Sequence, residues 1–165
     1  MLGRLRDKGV SVDHDDIAPG QVLKTFDRDE SKAIERAWLE VFCRNGLGLN
    51  TKAYKWHIFS GGGYPALQGR AALQAYALHV AARYILLPND GEPAMLTDLR
   101  PENLTGQDVY VFPENMAWTM AFTHEDGLLG PYFAQHPRYA ALQKDNEKRL
   151  KKQQDIAFAR EQGWL

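Results

Sequence analysis

The stretch from Asp108 to Phe133 constrains this chain most. From Met116 to Thr123 heavy and small residues alternate without a break. Met116, Trp118, Met120 and Phe122 fall on one side, and Ala117, Thr119, Ala121 and Thr123 on the other. A period of two with the heavy residues on one face predicts a half-buried strand. Just before it, Asp108-Val109-Tyr110-Val111-Phe112 is rich in β-formers and runs into Pro113-Glu114-Asn115, a turn composition. The two runs predict a β-hairpin whose tryptophan-and-methionine side faces a core.

The flanks supply the layers that could cover such a hairpin. Asp29 to Arg44 reads as a helix capped by Asp29, with Ile34, Ala37, Trp38, Val41 and Phe42 on one stripe and Asn45-Gly46 as its stop. Lys55 to Ser60 reads as a strand, with Trp56 and Ile58 on one side and His57 and Phe59 on the other. After Gly61-Gly62-Gly63-Tyr64-Pro65-Ala66, a helix from about Leu67 to Val80 would bury Leu73, Tyr76, Ala77 and Val80. Arg83 to Leu87 is a short buried strand, Pro88-Asn89-Asp90-Gly91 a turn, and Ala94 to Thr97 a strand pairing back. Leu99 to Leu104 fits a single helical turn, and Gly9 to Val12 an edge strand. From Pro137 to Gln162 the chain reads as a long, charged helix with a thin apolar stripe: Tyr139, Leu142, Leu150, Ile156, Phe158 and Trp164. Asp145 with Arg149 and Glu147 with Lys151 are spaced to pair at i,i+4. This helix is expected to pack at its start and to project or dock loosely beyond.

The fold class that follows is α+β: one mostly antiparallel sheet of four to six strands, helices packed on one face, and a long C-terminal helix. Residues 1–136 would form a single domain, with 137–165 as its charged helical extension. A length of 165 residues suits one such core. A formal net charge of −1 argues against a general nucleic-acid or membrane-surface binder. The single cysteine, Cys43, rules out a disulfide framework and a cysteine zinc site, and no evident basic neighbour activates it. The basic start has no apolar run behind it, so no signal peptide is expected, and the predicted location is the cytoplasm.

Chemistry has few places to sit. His57, His124 and Glu125, with Asp126 beside them, are the candidate catalytic cluster, because two imidazoles and a carboxylate can handle protons or bind zinc or iron. The bland reading is structural: a histidine at a strand end hydrogen-bonds backbone, and Glu125 caps the Asp126-Gly127 turn. Strand, glycines and helix around Gly61 to Ala66 also resemble a phosphate cradle, but no Lys-Ser or Lys-Thr follows and Pro65 removes an amide. Asp13, His14, Asp15 and Asp16 lack calcium-loop spacing and read as surface charge. Neither a metal nor a cofactor is expected. His79 and His136 read as surface or cap residues.

Taken in order, Trp56-His57-Ile58-Phe59-Ser60, Asp108-Val109-Tyr110-Val111, Trp118, Thr123-His124-Glu125 and Gly130-Pro131-Tyr132-Phe133 resemble a bacterial family of small proteins, domain of unknown function 4275, over about residues 55–133. The glycine triplet and the helix after Phe133 depart from that family's pattern. The resemblance carries no activity, cofactor or site residue with it. Its general look is similar to compact α+β proteins that neutralise bacterial toxins by binding them, a likeness of fold alone.

The expected function is therefore non-enzymatic protein binding, such as an immunity protein that occludes a cognate toxin. The residues of interest are Asp13, Asp15, Asp16, Glu147, Lys148 and Lys152. The alternative is a small hydrolase or metal-dependent enzyme built on His57, His124 and Glu125.

Overall fold

The computed structural model describes residues 17–44 and 51–165. The expected Gly9–Val12 strand and the acidic residues Asp13, Asp15 and Asp16 lie outside them. The elements run β1 (Val22–Thr25), α1 (Arg28–Phe42), α2 (His57–Ser60), β2 (Leu67–Gln68), α3 (Arg70–Leu78), β3 (Tyr84–Pro88), β4 (Met95–Thr97), β5 (Val109–Pro113), β6 (Trp118–Phe122), β7 (Tyr132–Gln135) and α4 (Tyr139–Glu161). The strands form one sheet in the order β1-β4-β3-β5-β6-β7-β2, and every pairing is antiparallel. The class is α+β, as the hairpin pattern predicts.

The hairpin is β5–β6, with Val109 opposite Phe122 and Val111 opposite Met120. Its turn is made by Asn115, whose side-chain oxygen accepts the Ala117 amide (3.1 Å) and whose amide group donates to the Leu142 carbonyl of α4 (3.0 Å). Met116 sits in this turn with φ 58°, a left-handed conformation that costs a non-glycine residue about 1 kcal/mol. Its side chain therefore turns away from Trp118 and joins the opposite side of the sheet. The alternation holds only from Trp118 to Phe122.

That strand is not half-buried. All five residues of β3, of β5 and of β6 are buried. Nor do the helices share one face. Ala72 and Tyr76 of α3, with Tyr139 and Leu142 of α4, cover the side bearing Leu86, Val111, Trp118, Met120 and Phe122. Trp38 and Phe42 of α1, with Trp56, Ile58 and Phe59, cover the other side, which bears Ile85, Leu87, Tyr110, Phe112 and Ala121. The small residues of β6 make room for a large one from the next layer. The Trp38 indole N–H donates to the Thr119 hydroxyl at 2.9 Å, fully buried, and its ring lies 4.8 Å from that of Tyr110. A period of two with small residues on one side reads as a solvent face only when nothing bulky is placed over them.

Other expectations shift for local reasons. The cap of α1 is Asp27, not Asp29: its carboxylate takes the Glu30 amide (2.8 Å) while Glu30 reaches back to the Asp27 amide (3.0 Å), a capping box. Trp38 and Phe42 are buried but Ala37 is exposed. Lys55–Ser60 is not a strand. Trp56, Ile58 and Phe59 all need burial on one side, which a helical turn provides and a strand cannot. Without a strand before it, the glycine run has lost the phosphate-cradle layout. The second helix starts at Arg70 and ends at Leu78, and it buries Ala72 and Tyr76 while Leu73, Ala77 and Val80 stay exposed. Residues Leu99–Leu104 make no helix. On α4 neither expected ion pair forms; Lys151 pairs with Asp155 instead, at 3.2 Å.

Replacing Thr119 by Val should leave the buried Trp38 indole without an acceptor. The expected loss is about 1–3 kcal/mol of unfolding free energy, measured by urea denaturation, with Thr119→Ser restoring most of it. A loss below about 0.5 kcal/mol would mean that packing alone seats α1.

Candidate functional site

The sequence-predicted histidines both lie at the end of the central strands β5 and β6, and the group that organises them is Asp108. Asp108 stands just before β5, and its side chain is only 11% exposed. One of its oxygens accepts the Trp56 indole N–H (3.0 Å) and the His124 backbone amide (3.0 Å). The His124 ring closes the arrangement, with Nδ1 at 2.9 Å from both carboxylate oxygens. An ionised carboxylate is acceptor-only and can take several donors, which suits it to tie the loop after β6 to the turn before α2.

Behind Asp108 a second set of polar contacts fixes that turn. The Tyr110 hydroxyl accepts the Trp56 amide (3.0 Å) and donates to the Asn89 side-chain oxygen (2.7 Å), which also takes the Lys55 amide (3.0 Å). The Asn89 amide group donates to the Ala53 carbonyl (2.8 Å). Burial pushes the Tyr110 hydroxyl well above its ordinary pKa, so it stays a neutral donor. The Lys55 ammonium, nearly buried, pairs with Glu35 of α1 at 2.7 Å. Sequence reasoning missed Asp108, Asn89 and Lys55 as site residues. The signal for Asp108 was its place at the head of the Asp-Val-Tyr-Val run; Asn89 looked only like a turn residue.

His57 lies on the α2 turn, not on a strand. Its ring packs against Trp56 (4.5 Å) and Tyr54 (5.5 Å), and the His124 ring lies against the same Tyr54 at 4.9 Å and Trp56 at 6.0 Å. The two imidazoles thus share one aromatic pair. The Nε2 atom of His124 faces Glu125 at 3.3 Å. Both ring nitrogens of His124 are therefore occupied by carboxylates. Among the described residues no group of three or more His, Cys, Asp or Glu could hold a metal ion. The cluster sets the His124 ring between the carboxylates of Asp108 and Glu125, and it joins three chain segments.

The turn after His124 is capped by Asp126 rather than by Glu125. The Asp126 carboxylate accepts the Thr123 amide (2.9 Å) and the Gly106 amide (3.1 Å), and burial raises its pKa despite them. Tyr132 and Phe133, candidates for an exposed anchor, are buried in β7. His79 is the C-cap residue of α3 and bridges to α4: Nδ1 lies 2.6 Å from the Ala75 carbonyl and Nε2 2.6 Å from the Tyr139 hydroxyl. His136 accepts the Arg138 amide at Nδ1 (2.9 Å) before α4 begins, and burial lowers its pKa.

The family model described as Domain of unknown function (DUF4275) matches residues 35–133. The chain belongs to that family. The matched stretch opens at Glu35, the ion-pair partner of Lys55, and holds Trp56, Asn89, Asp108, Tyr110 and His124. It stops at Phe133, so all of α4 lies outside the DUF4275 match. No curated protein and no solved structure matches the chain. Of the proposed partner-binding residues, Glu147, Lys148 and Lys152 are exposed on α4, about 14 or more residues beyond the match and away from the Asp108 cluster in sequence.

Cys43 does have a basic neighbour, Lys55, but burial outweighs it and pushes the thiol up to about 11. Against an ordinary value of 9.0, the thiolate fraction near neutral pH falls by about a hundredfold. Alkylation of the native protein at pH 8 should be slower than that of the urea-unfolded protein by about that factor, read by mass spectrometry. For the cluster, Asp108→Ala should cost roughly 1.5–3 kcal/mol in denaturant unfolding, since it strands the Trp56 indole and the His124 amide. Asp108→Asn should recover part of that, and equal stability of wild type and Asp108→Ala would remove the carboxylate from its organising role.

Proposed function

We propose that this protein is a non-enzymatic binding protein of the bacterial cytoplasm, of the kind that neutralises a toxin by covering its surface. The observation that carries this reading is the second half of α4. Beyond Leu150, every residue of that helix except Ala159 is exposed, including Ile156 (37%) and Phe158 (53%). Phe158 packs only edge-on against Trp164, itself 68% exposed, at 5.7 Å. An exposed apolar pair such as Phe158 with Trp164 on an uncovered helix marks a protein contact more often than a solvent face. Lys148 and Lys152 add charge that would orient a partner, and Glu147 stands beside them.

Support for the cytoplasm comes from a single cysteine and from the absence, among the described residues, of any helix long and apolar enough to cross a membrane. The net charge of −1 favours a protein partner over nucleic acid.

Co-expression of the tagged full chain with the product of the adjacent gene tests the reading. A stoichiometric complex and rescue of growth from that product's toxicity are expected. An adjacent product that neither binds nor is neutralised would overturn it. One observation favours the enzyme alternative: the Asp108-held His124 ring with Glu125 at its outer nitrogen. That reading requires a hydrolytic activity of the purified protein that His124→Ala abolishes, with folding retained. An unchanged activity in His124→Ala ends it.

A further inference from the structure

We infer that the face of α4 carrying Arg149, Lys152, Ile156 and Arg160 is a seat for an acidic, amphipathic segment of a partner protein. This rests on the binding reading above and adds the chemistry of the occupant. At 3.6 residues per turn, Leu142, Asn146, Arg149, Gln153, Ile156 and Arg160 fall along one side of the helix. The first part of that side is closed against the protein body, where Asn146 is buried and Leu142 packs on the sheet. The rest is the same side continued with nothing over it. A depression of about 460 Å³ lies along it, lined by Arg149, Lys152, Gln153, Ile156, Ala157 and Arg160. A second, of about 360 Å³, opens where α4 meets the body, between Leu150 and Gln153 on the helix and Val80 and Leu99 opposite. Gln153 lines both, so the two make one shelf with exposed Val80 and Leu99 as its inner wall.

The charge on the helix side of this shelf is one-sided, while Asp98 and Glu102 stand on its inner wall with Arg100. From Lys148 to Arg160 the sequence carries five cations against one anion, Asp155, in a chain of net charge −1. Asp155 is taken by Lys151. The side chains of Arg149, Lys152 and Arg160 have no ion-pair or hydrogen-bond partner among the described residues. On the inner wall Arg100 is already matched by Glu102 at 3.9 Å, and Asp98 accepts the Gln21 amide at 2.9 Å. The free positive charge therefore belongs to α4 alone. Arg149 and Arg160 stand about 16 Å apart along the axis, with Ile156 between them. The complementary surface has carboxylates at that span on either side of an apolar side chain, as one face of an acidic amphipathic helix provides.

Other occupants fit less well. A membrane surface asks for a continuous apolar face, yet Phe158 lies on the opposite side of α4 from Ile156 and only the small Ala157 and Ala159 adjoin it. Nucleic acid asks for a wider basic field than three side chains on a chain of net negative charge.

The test uses the full chain, isotopically labelled, and an amphipathic helical peptide of about 18 residues, long enough to span the shelf, with glutamates flanking a leucine. A control peptide carries lysine in place of every glutamate. The glutamate peptide should bind, shifting the amide signals of residues 149–160 together with those of Val80 and Leu99. Arg149→Glu with Arg160→Glu, both at exposed positions, should weaken it by about tenfold or more and should let the lysine peptide bind instead. The inference is overturned by equal binding of both peptides, by no binding, or by shifts elsewhere. It is also overturned if the wild type binds anionic vesicles, or forms a dimer in sedimentation, and the double variant does neither. A toxin partner held equally well by wild type and double variant would remove the shelf while leaving the binding function in place; no partner at all would remove the function first.

Discussion

Trp38 reaches from α1 to the centre of β6 and gives its indole N–H to Thr119, both groups fully out of water. Much of the rest depends on that contact. An antiparallel sheet of this size can leave one side wet, but here β3, β5 and β6 are buried throughout, so both sides must be covered. The α1 layer covers one side because Thr119 and Ala121 leave a recess where Trp38 and Tyr110 meet. The α3 and α4 layer covers the other, where the Tyr76 ring of α3 meets Trp118 and Phe122 edge-on and the small Ala72 sits beside it. Large against small on each side keeps both layers close-packed.

The Asp108 cluster does for the polar groups at the end of β5 and β6 what Trp38 does for the core. Indole, amide and imidazole donors from separate segments all need an acceptor as they leave solvent, and one carboxylate serves them. The DUF4275 match covers this cluster and α1 from Glu35 onward but none of α4. The matched stretch thus contains the Asp108 cluster and strands β2 to β6 of the sheet. Helix α4, beyond the match, is anchored to that frame through Asn115 to Leu142 and through His79 to Tyr139. A helix tied at its start and open beyond Leu150 is well suited to meeting a partner without disturbing the core.

The readings that failed share a cause. Lys55–Ser60 has β-type residues, but Trp56, Ile58 and Phe59 are drawn to the same side by the pocket under α1, and a helical turn satisfies that where a strand does not. Leu73 and Val80 are apolar at helical spacing, yet α3 faces the sheet with Ala72 and Tyr76, and both of the others stay exposed. His57 and His124 were legible as a pair of interest; that they meet over Tyr54 and Trp56, with Asp108 rather than a metal as the organising charge, was not.

The order of residues by itself determined the β5–β6 hairpin, the α+β class, the family and the long charged helix, because each rests on local periodicity, turn chemistry or motif order. Tertiary structure alone decided that helices lie on both sides of the sheet, that Met116 turns away from Trp118, and at which residue of α4 the cover ends. Those outcomes depend on which layer supplies volume at a given spot and on where the body ends, and neither is written in the spacing of residues along one element.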